Sequence, residues 1–284
     1  MKKAVIFTHD LLAENFAKTA HGLLRGTSRF NILAVIDNVH GGKDAGEVLD
    51  GKKLDIPTFK SISDYFENSN GDAEVCIVGV AFPGGILPEP CRDELISAMK
   101  NGLSIISGLH HYLSEDRQFK KIAKEYNVEL NDIRKTKSIS DLHFWSGKIL
   151  DVKTPLLAVL GTDCAVGKRT TARFLLEACQ NKNIKTEIIY TGQTGWMQGY
   201  KHGFIFDATP NDFVSGEIEK EIMLIEAYGK KVIGIALNEE NSNLDILREN
   251  QKKLEDTLKI PVSIPLSEGL DKIVELIKKE YIIE

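Results

Sequence analysis

A chain of 284 residues is long enough for about two domains, and its 42% hydrophobic content excludes an intrinsically disordered protein. The net charge of −5 gives no general attraction to nucleic acid or to an anionic membrane surface, so neither is an expected partner. Any anion must be held locally, by backbone N–H groups and a few basic side chains.

The opening MKKAVIFTHD has an apolar run that stops at Phe7, too short for a signal-peptide core. Its segment AVIFT (4–8) predicts a buried strand, followed by a helix over about Leu12–Leu24. ILAVID (32–37) is the next strand, with Asp37 at its carboxyl end. EVCIVGV (74–80) precedes a helix near Pro90–Asn101, and LSIISG (103–108) precedes a helix from Ser114 to about Tyr126, with Ser114 as its cap. The polar stretch Ile133–Lys153 breaks this rhythm and ends near Phe144 and Trp145, so it reads as the connection between domains. Alternation resumes with LLAVLG (156–161), a helix over about Arg169–Asn181, TEIIYTG (186–192), a helix over about Asp212–Tyr228, and KVIGIAL (231–237). A helix near Leu244–Thr257, the run IPVSIPL and a last helix near Leu270–Lys279 complete the chain.

Strands alternating with helices predict an α/β fold of two doubly wound parallel-sheet domains. Residues 1–145 form the Rossmann-like N-terminal domain and 146–284 the P-loop NTPase-like C-terminal domain. No stretch approaches the roughly 18 apolar residues that span a bilayer, so no membrane association and a cytoplasmic location are expected. Cys76, Cys91, Cys164 and Cys179 are scattered without a C-x-x-C pair, which argues against a zinc site or a disulfide framework, and no metal site is expected. A helical face such as Leu224–Tyr228 suits a core or a subunit interface, so a homo-oligomer stays open.

The strongest motif is GTDCAVGKRTT, set between a strand and a helix. A glycine-rich turn there aims successive N–H groups at an anion, the helix dipole adds positive potential, and Lys168 supplies a full charge. Gly161, Thr162, Asp163, Cys164, Ala165, Val166, Gly167, Lys168, Arg169, Thr170 and Thr171 are the candidate phosphate-binding residues. The usual pattern is G-x-x-x-x-G-K-[ST]. Five residues rather than four separate Gly161 from Gly167, a spacing similar to that of dethiobiotin synthetase relatives. Arg169 stands where nucleotide hydrolases place the Ser or Thr that ligates Mg²⁺. Either a shifted loop brings Thr170 round, or the site holds no standard Mg²⁺. Cys164 sits where its thiol pKa would fall, which makes it a conceivable acyl acceptor, although a small residue that fits the turn is the better explanation.

A second cluster, YTGQTGWMQGYKHG (190–203), leaves a strand at the sheet edge where such folds bind ligands. Gln193 and Thr194 offer neutral hydrogen bonds, Gly195 close backbone approach, and Trp196 a flat apolar face; a surface loop with structural glycines is the plain alternative. Asp207, Asp212 and Glu217 follow, with helix capping and solvation as their ordinary roles. In the first domain AFPGGILPEP and SGLHHYLSED each follow a strand. Adjacent His110 and His111 suit a structural or substrate-contact role better than a metal. THDLLAEN replaces G-x-G-x-x-G after the first strand, which argues against a dinucleotide.

The ordered motifs FPGGILPEP, SGLHHYLSED, DIRK, GTDCAVGKRTTA, TGQTGW and DFVSGEIE resemble the D-glutamate N-acetyltransferase-like family, long known as a domain of unknown function, over about residues 75–240. The resemblance implies a Rossmann-like domain followed by a P-loop domain. It also implies acetyl transfer from acetyl-CoA, as co-substrate, to the amino group of a small acidic D-amino acid. On that basis the loop residues and Gln193 are expected to hold CoA, and Asp163, Asp207, Asp212 or His110 to serve as base. Thr194 or backbone N–H groups in 192–195 are expected at the oxyanion, and Arg134, Gly195, Trp196 and Glu217 at the acceptor. Two alternatives remain: an ATP- and Mg²⁺-dependent ligase or kinase, and a non-catalytic nucleotide or CoA sensor.

Overall fold

Strand β1 (Lys2–His9) is buried from Ala4 through Thr8, as a central strand covered on both faces must be. In the computed structural model the described residues are 1–82, 86–135, 155, 157–161, 166–205, 208, 233–237, 239 and 243–281. They fall into two compact units: Met1–Ser138 with Ile189–Thr209, and Ile139–Ile188 with Pro210–Glu284. The segment 189–209, which chain order puts in the C-terminal half, thus packs with the N-terminal sheet.

The first unit carries β1, β2 (Phe30–Asp37), β3 (Thr58–Phe59), β4 (Val75–Val78), β5 (Ser104–Ser107) and β6 (Leu130–Asp132) in one parallel sheet of order β3-β2-β1-β4-β5-β6. The order reverses between β1 and β4, and ligands of open α/β sheets bind outside the carboxyl ends of the strands at such a switch point. Helices α1 (Lys18–Leu24), α2 (Ala45–Asp50), α3 (Ile62–Asn68), α4 (Glu89–Lys100) and α5 (Arg117–Tyr126) connect the strands. The core joins Val5, Ile6 and Phe7 with Val35, Ile77, Leu95, Met99, Ile105 and Phe119.

Several expected boundaries move. The first helix starts late, after a 3-10 turn at Asn15–Ala17, because Asp37 Oδ2 accepts from Leu12 N at 2.9 Å and holds that segment at the sheet edge. Ser114 is not a cap: its N–H goes to Asp132 Oδ2 at 2.8 Å, while Asp116 caps α5 by accepting from Gln118 N and Phe119 N. The short elements α2, β3, α3 and β6 complete the sheet without having been expected.

In the same unit β7 (Ile189–Tyr190) and β8 (His202–Gly203) pair in parallel around α7 (Gln193–Gln198). The second unit's described residues include α6 (Lys168–Asn181), helices at Leu244–Leu258, Pro265–Glu268 and Asp271–Tyr281, and the parallel pair β9 (Ile235–Ala236) and β10 (Val262–Ser263). Leu175, Cys179, Leu270, Ile273 and Val274 form its core. Residues 157–161, expected as a strand, carry no strand pairing, and Leu157 and Leu160 are exposed rather than covered on both faces. The helix expected over 212–228 lies outside the described residues.

Candidate functional site

In the second unit the phosphate loop is described at its two ends. Gly167 takes a left-handed conformation (φ 87°) as the N-cap of α6, whose first residue is Lys168. Having no side chain, Gly167 puts no cap oxygen on the first-turn N–H groups, the arrangement that helix N-termini use for anions. Gly161 lies directly against this turn. A Cβ there would come within 2.7 Å of Val166 Cγ2 and 2.8 Å of Lys168 Cγ, so the lysine stem lies back across the glycine. That is the wrap a phosphate loop needs to aim its lysine over its own backbone. Arg169, Thr170 and Thr171 sit half-buried in the first turn, and Thr171 N donates to Gly167 O at 2.9 Å. Thr162, Asp163, Cys164 and Ala165 lie outside the described residues, as do Asp207, Asp212 and Glu217.

In the first unit the second cluster is an anchored helix rather than a surface loop. Gln198 Nε2 donates to Gly22 O at 2.8 Å, Thr27 Oγ1 to Met197 O at 2.8 Å, and Ser28 N to Gln198 O at 2.9 Å. The Arg29 guanidinium stacks 4.0 Å from the Trp196 ring centroid while its Nε donates to Trp196 O at 2.7 Å. The indole face expected to meet a ligand is therefore covered by Arg29. Thr194 is 2% exposed and its hydroxyl hydrogen-bonds to that of Thr19 at 3.1 Å. Gln193 packs its stem against Gly108, and Gly195 is buried against Tyr190. These four residues pack within the N-terminal unit, with the Thr194 hydroxyl bonded to that of Thr19 and one face of Trp196 under Arg29.

Arg134, after β6, is 7% exposed; its Nε donates to Gly108 O at 2.6 Å and its carbonyl accepts from Tyr112 Oη at 3.2 Å. This holds a buried guanidinium at the carboxyl edge of the sheet. Of the histidine pair, His110 is exposed, whereas His111 is half-buried, with Nε2 3.8 Å from Asp116 Oδ2 and a buried Nδ1 that has no hydrogen-bond partner among the described residues. Asp37, in the position where a dinucleotide fold holds a ribose, is fully buried and spends its oxygens internally. It accepts from Thr8 Oγ1, Leu12 N and His40 N, and lies 2.7 Å from His40 Nδ1.

Sequence reasoning passed over His9. It ends β1 with φ 56°, a region that non-glycine residues occupy rarely, and such strain gathers at functional sites. Its ring lies 6.0 Å from that of Phe7, and its Nε2 is 3.6 Å from Asp10 Oδ2, while Asp10 Oδ1 is closed off from solvent with no hydrogen-bond partner among the described residues. The available signal was a His-Asp pair at the carboxyl end of the first strand. Beside it opens a cavity of about 410 Å³, floored by Phe7 and Ile36 and rimmed by His9, Lys60, Asp93 and Glu94. Among the described residues no group of three or more His, Cys, Asp and Glu could hold a metal, and no helix is long and apolar enough to cross a membrane.

The fold and the phosphate loop together define an α/β protein with a Rossmann-like N-terminal domain and a P-loop C-terminal domain. Two family models match in that order: the DUF1611_N Rossmann-like domain over residues 38–136 and the DUF1611_C P-loop domain over residues 143–231, both described as domains of unknown function. Together they take in about two thirds of the chain, which belongs to the DUF1611 family. A crystal structure of a DUF1611 family protein from Anabaena variabilis superposes with a TM-score of 0.84 at 21% identity, covering 99% of this chain and 100% of that one. Two curated relatives are D-glutamate N-acetyltransferases. The one from Pseudoalteromonas sp is 33% identical over 147 residues, and the one from Tritonibacter scottomollicae is 29% identical over the same length. Each match spans 52% of this chain but only 43% of the relative.

Proposed function

We propose that this chain is an N-acetyltransferase that moves acetyl from acetyl-CoA to the amino group of an acidic D-amino acid, D-glutamate or a close analogue. The observation that carries the reading is the 33% identity over 147 residues to a D-glutamate N-acetyltransferase. The geometry of the phosphate loop supports it. CoA presents a pyrophosphate and a 3′-phosphate, which need N–H groups and cations but no hydrolytic Mg²⁺. Lys168 laid across Gly161 and Arg169 in the next position supply those cations without the hydroxyl that a hydrolase would put after the lysine.

In this reaction the acceptor ammonium first gives a proton to a base. The free amine attacks the thioester carbonyl, the C–S bond breaks, and the thiolate leaves as CoA-SH with one proton. Asp163, Asp207, Asp212 and His110 are the candidate bases. The test is thiol release from acetyl-CoA, without ATP, over a panel of D- and L-amino acids. Release that depends on D-glutamate is expected, and Lys168→Ala should raise the KM for acetyl-CoA about tenfold or more. Absence of acetyl-CoA binding would end the reading, and acceptor-stimulated, Mg²⁺-dependent consumption of ATP would put a ligase or kinase in its place.

A further inference from the structure

We propose that the 410 Å³ cavity at the carboxyl edge of β1, β2 and β3 binds the amino-acid acceptor. In this assignment it recognises an α-amino dicarboxylate through Lys60, His9, Asp93 and Glu94 of its lining. Calling the ligand the acceptor rests on the transferase reading above; the binding of an acidic amino acid does not.

Position and size come first. The cavity lies at the sheet edge that open α/β folds use for ligands, beside the switch point between β1 and β4. Its volume is in the range of small-molecule sites, roughly 300–1,000 Å³, and ample for one amino acid.

The lining carries side chains of both signs, of which His9 lies 3.6 Å from Asp10 Oδ2 and Glu94 is partly engaged. Neither Lys60 nor Asp93 forms an ion pair among the described residues. Glu94 uses Oε2 to accept from Ile62 N at 3.0 Å, which fixes the carboxylate at the mouth. Lys60 is built into place: its stem crosses Gly41, where a Cβ would come 2.3 Å from Lys60 Cγ. His9 is delivered by its left-handed backbone, and His9 O accepts from Asn38 N at 2.9 Å, tying it to the end of β2. A ligand with one ammonium and two carboxylates finds partners here, the ammonium toward Asp93 and Glu94, one carboxylate toward Lys60 and the other toward the His9 ring as a hydrogen-bond donor. The same two acidic side chains disfavour an anion that carries no ammonium, so phosphates, nucleotides and CoA are poor occupants.

The proposal is tested by calorimetric titration of the full chain, without CoA, with D-glutamate, L-glutamate and glutarate. Acetyl transfer is assayed in parallel. Glutamate should bind and glutarate, lacking the ammonium, should bind at least about tenfold more weakly; Lys60→Met and Asp93→Asn should each weaken glutamate about tenfold or more at unchanged acetyl-CoA affinity. Both side chains are on the rim, so circular dichroism and melting should stay those of the wild type. Failure of the wild type to bind glutamate at millimolar concentration overturns the proposal. So does normal acetyl transfer with an unchanged acceptor KM in both variants, an outcome that leaves the transferase reading standing. Glutamate binding that both variants weaken, with no thiol release under any condition, supports the site and removes the transferase reading instead.

Discussion

Asp44 is the residue whose loss would most loosen the strand that carries Lys60. Its Oδ1 accepts from Gly46 N at 2.8 Å, Glu47 N at 3.2 Å and Leu54 N at 2.9 Å, and its Oδ2 from Ile56 N at 3.0 Å. One carboxylate therefore caps α2 and also holds the chain that enters β3, two residues before Lys60. Asp44→Ala removes the cap, about 1 kcal/mol, and two further charge-assisted bonds that partial solvation keeps to about 1 kcal/mol or less each, a total of about 2–3 kcal/mol. In a unit of this size that lowers the melting temperature by about 5–10 °C. Asp44→Asn separates the contributions. A single amide oxygen can replace Oδ1, but its NH₂ then faces Ile56 N–H, so about half the loss should remain. Partial burial works to raise the Asp44 pKa, but the four N–H donors outweigh it and hold the carboxyl below its usual value. The stabilisation is thus complete above the unfolded pKa of about 3.9 and lost as pH falls through the folded value. Urea unfolding of the wild type and both variants at pH 7 and near pH 3 measures this. A Gly-like tolerance of Asp44→Ala at pH 7, or a wild-type advantage undiminished at low pH, would refute the reasoning.

Two other perturbations test the remaining geometry. Gly161→Ala would set a methyl 2.7 Å from Val166 Cγ2 and 2.8 Å from Lys168 Cγ, displacing the lysine stem. Acetyl-CoA affinity, read by calorimetry, should fall about tenfold, and an unchanged affinity would take this wrap out of donor binding. Arg29→Ala removes the stack on Trp196 and the bond to Trp196 O, together about 2 kcal/mol. Amide exchange over α7 should accelerate while that of β4 and β5 does not, and Arg29→Lys should rescue little, since it keeps the charge but loses the planar fork. Equal exchange in Arg29→Ala would mean that α7 is held by its other contacts.

Where the chain buries long apolar runs, the sequence pattern is legible. β1, β2, β4 and β5 were expected within two residues, because a parallel strand covered on both faces must be continuously apolar. α2 and α3 were not expected. Each is under two turns, and their ends are set by Asp44 and Ser61 rather than by periodicity. The loop before α6 was legible for a similar reason: glycines and a lysine at fixed spacing can serve phosphate only in one local geometry. α7 was misread because QTGWMQ has neither helical period nor strong propensity, and its helix is held by partners more than 160 residues away in sequence, Thr19, Gly22, Thr27 and Arg29.

The same physics explains why the acceptor cavity was invisible in the sequence. His9, Lys60 and Asp93 are unremarkable when read singly, each at the margin of an element where polar residues are the rule. They meet only because β1, β3 and α4 converge at one edge of the sheet. A phosphate loop is local chemistry, written within a dozen residues, whereas a pocket for a zwitterion is assembled from separate elements by topology. If the donor is held by the first kind of site and the acceptor by the second, Lys168→Ala should raise the KM for acetyl-CoA while leaving that for glutamate near its wild-type value. Lys60→Met should do the reverse. A variant at either position that raised both constants equally would mean that the two ligands share one set of contacts, and the division argued from these two geometries would fall.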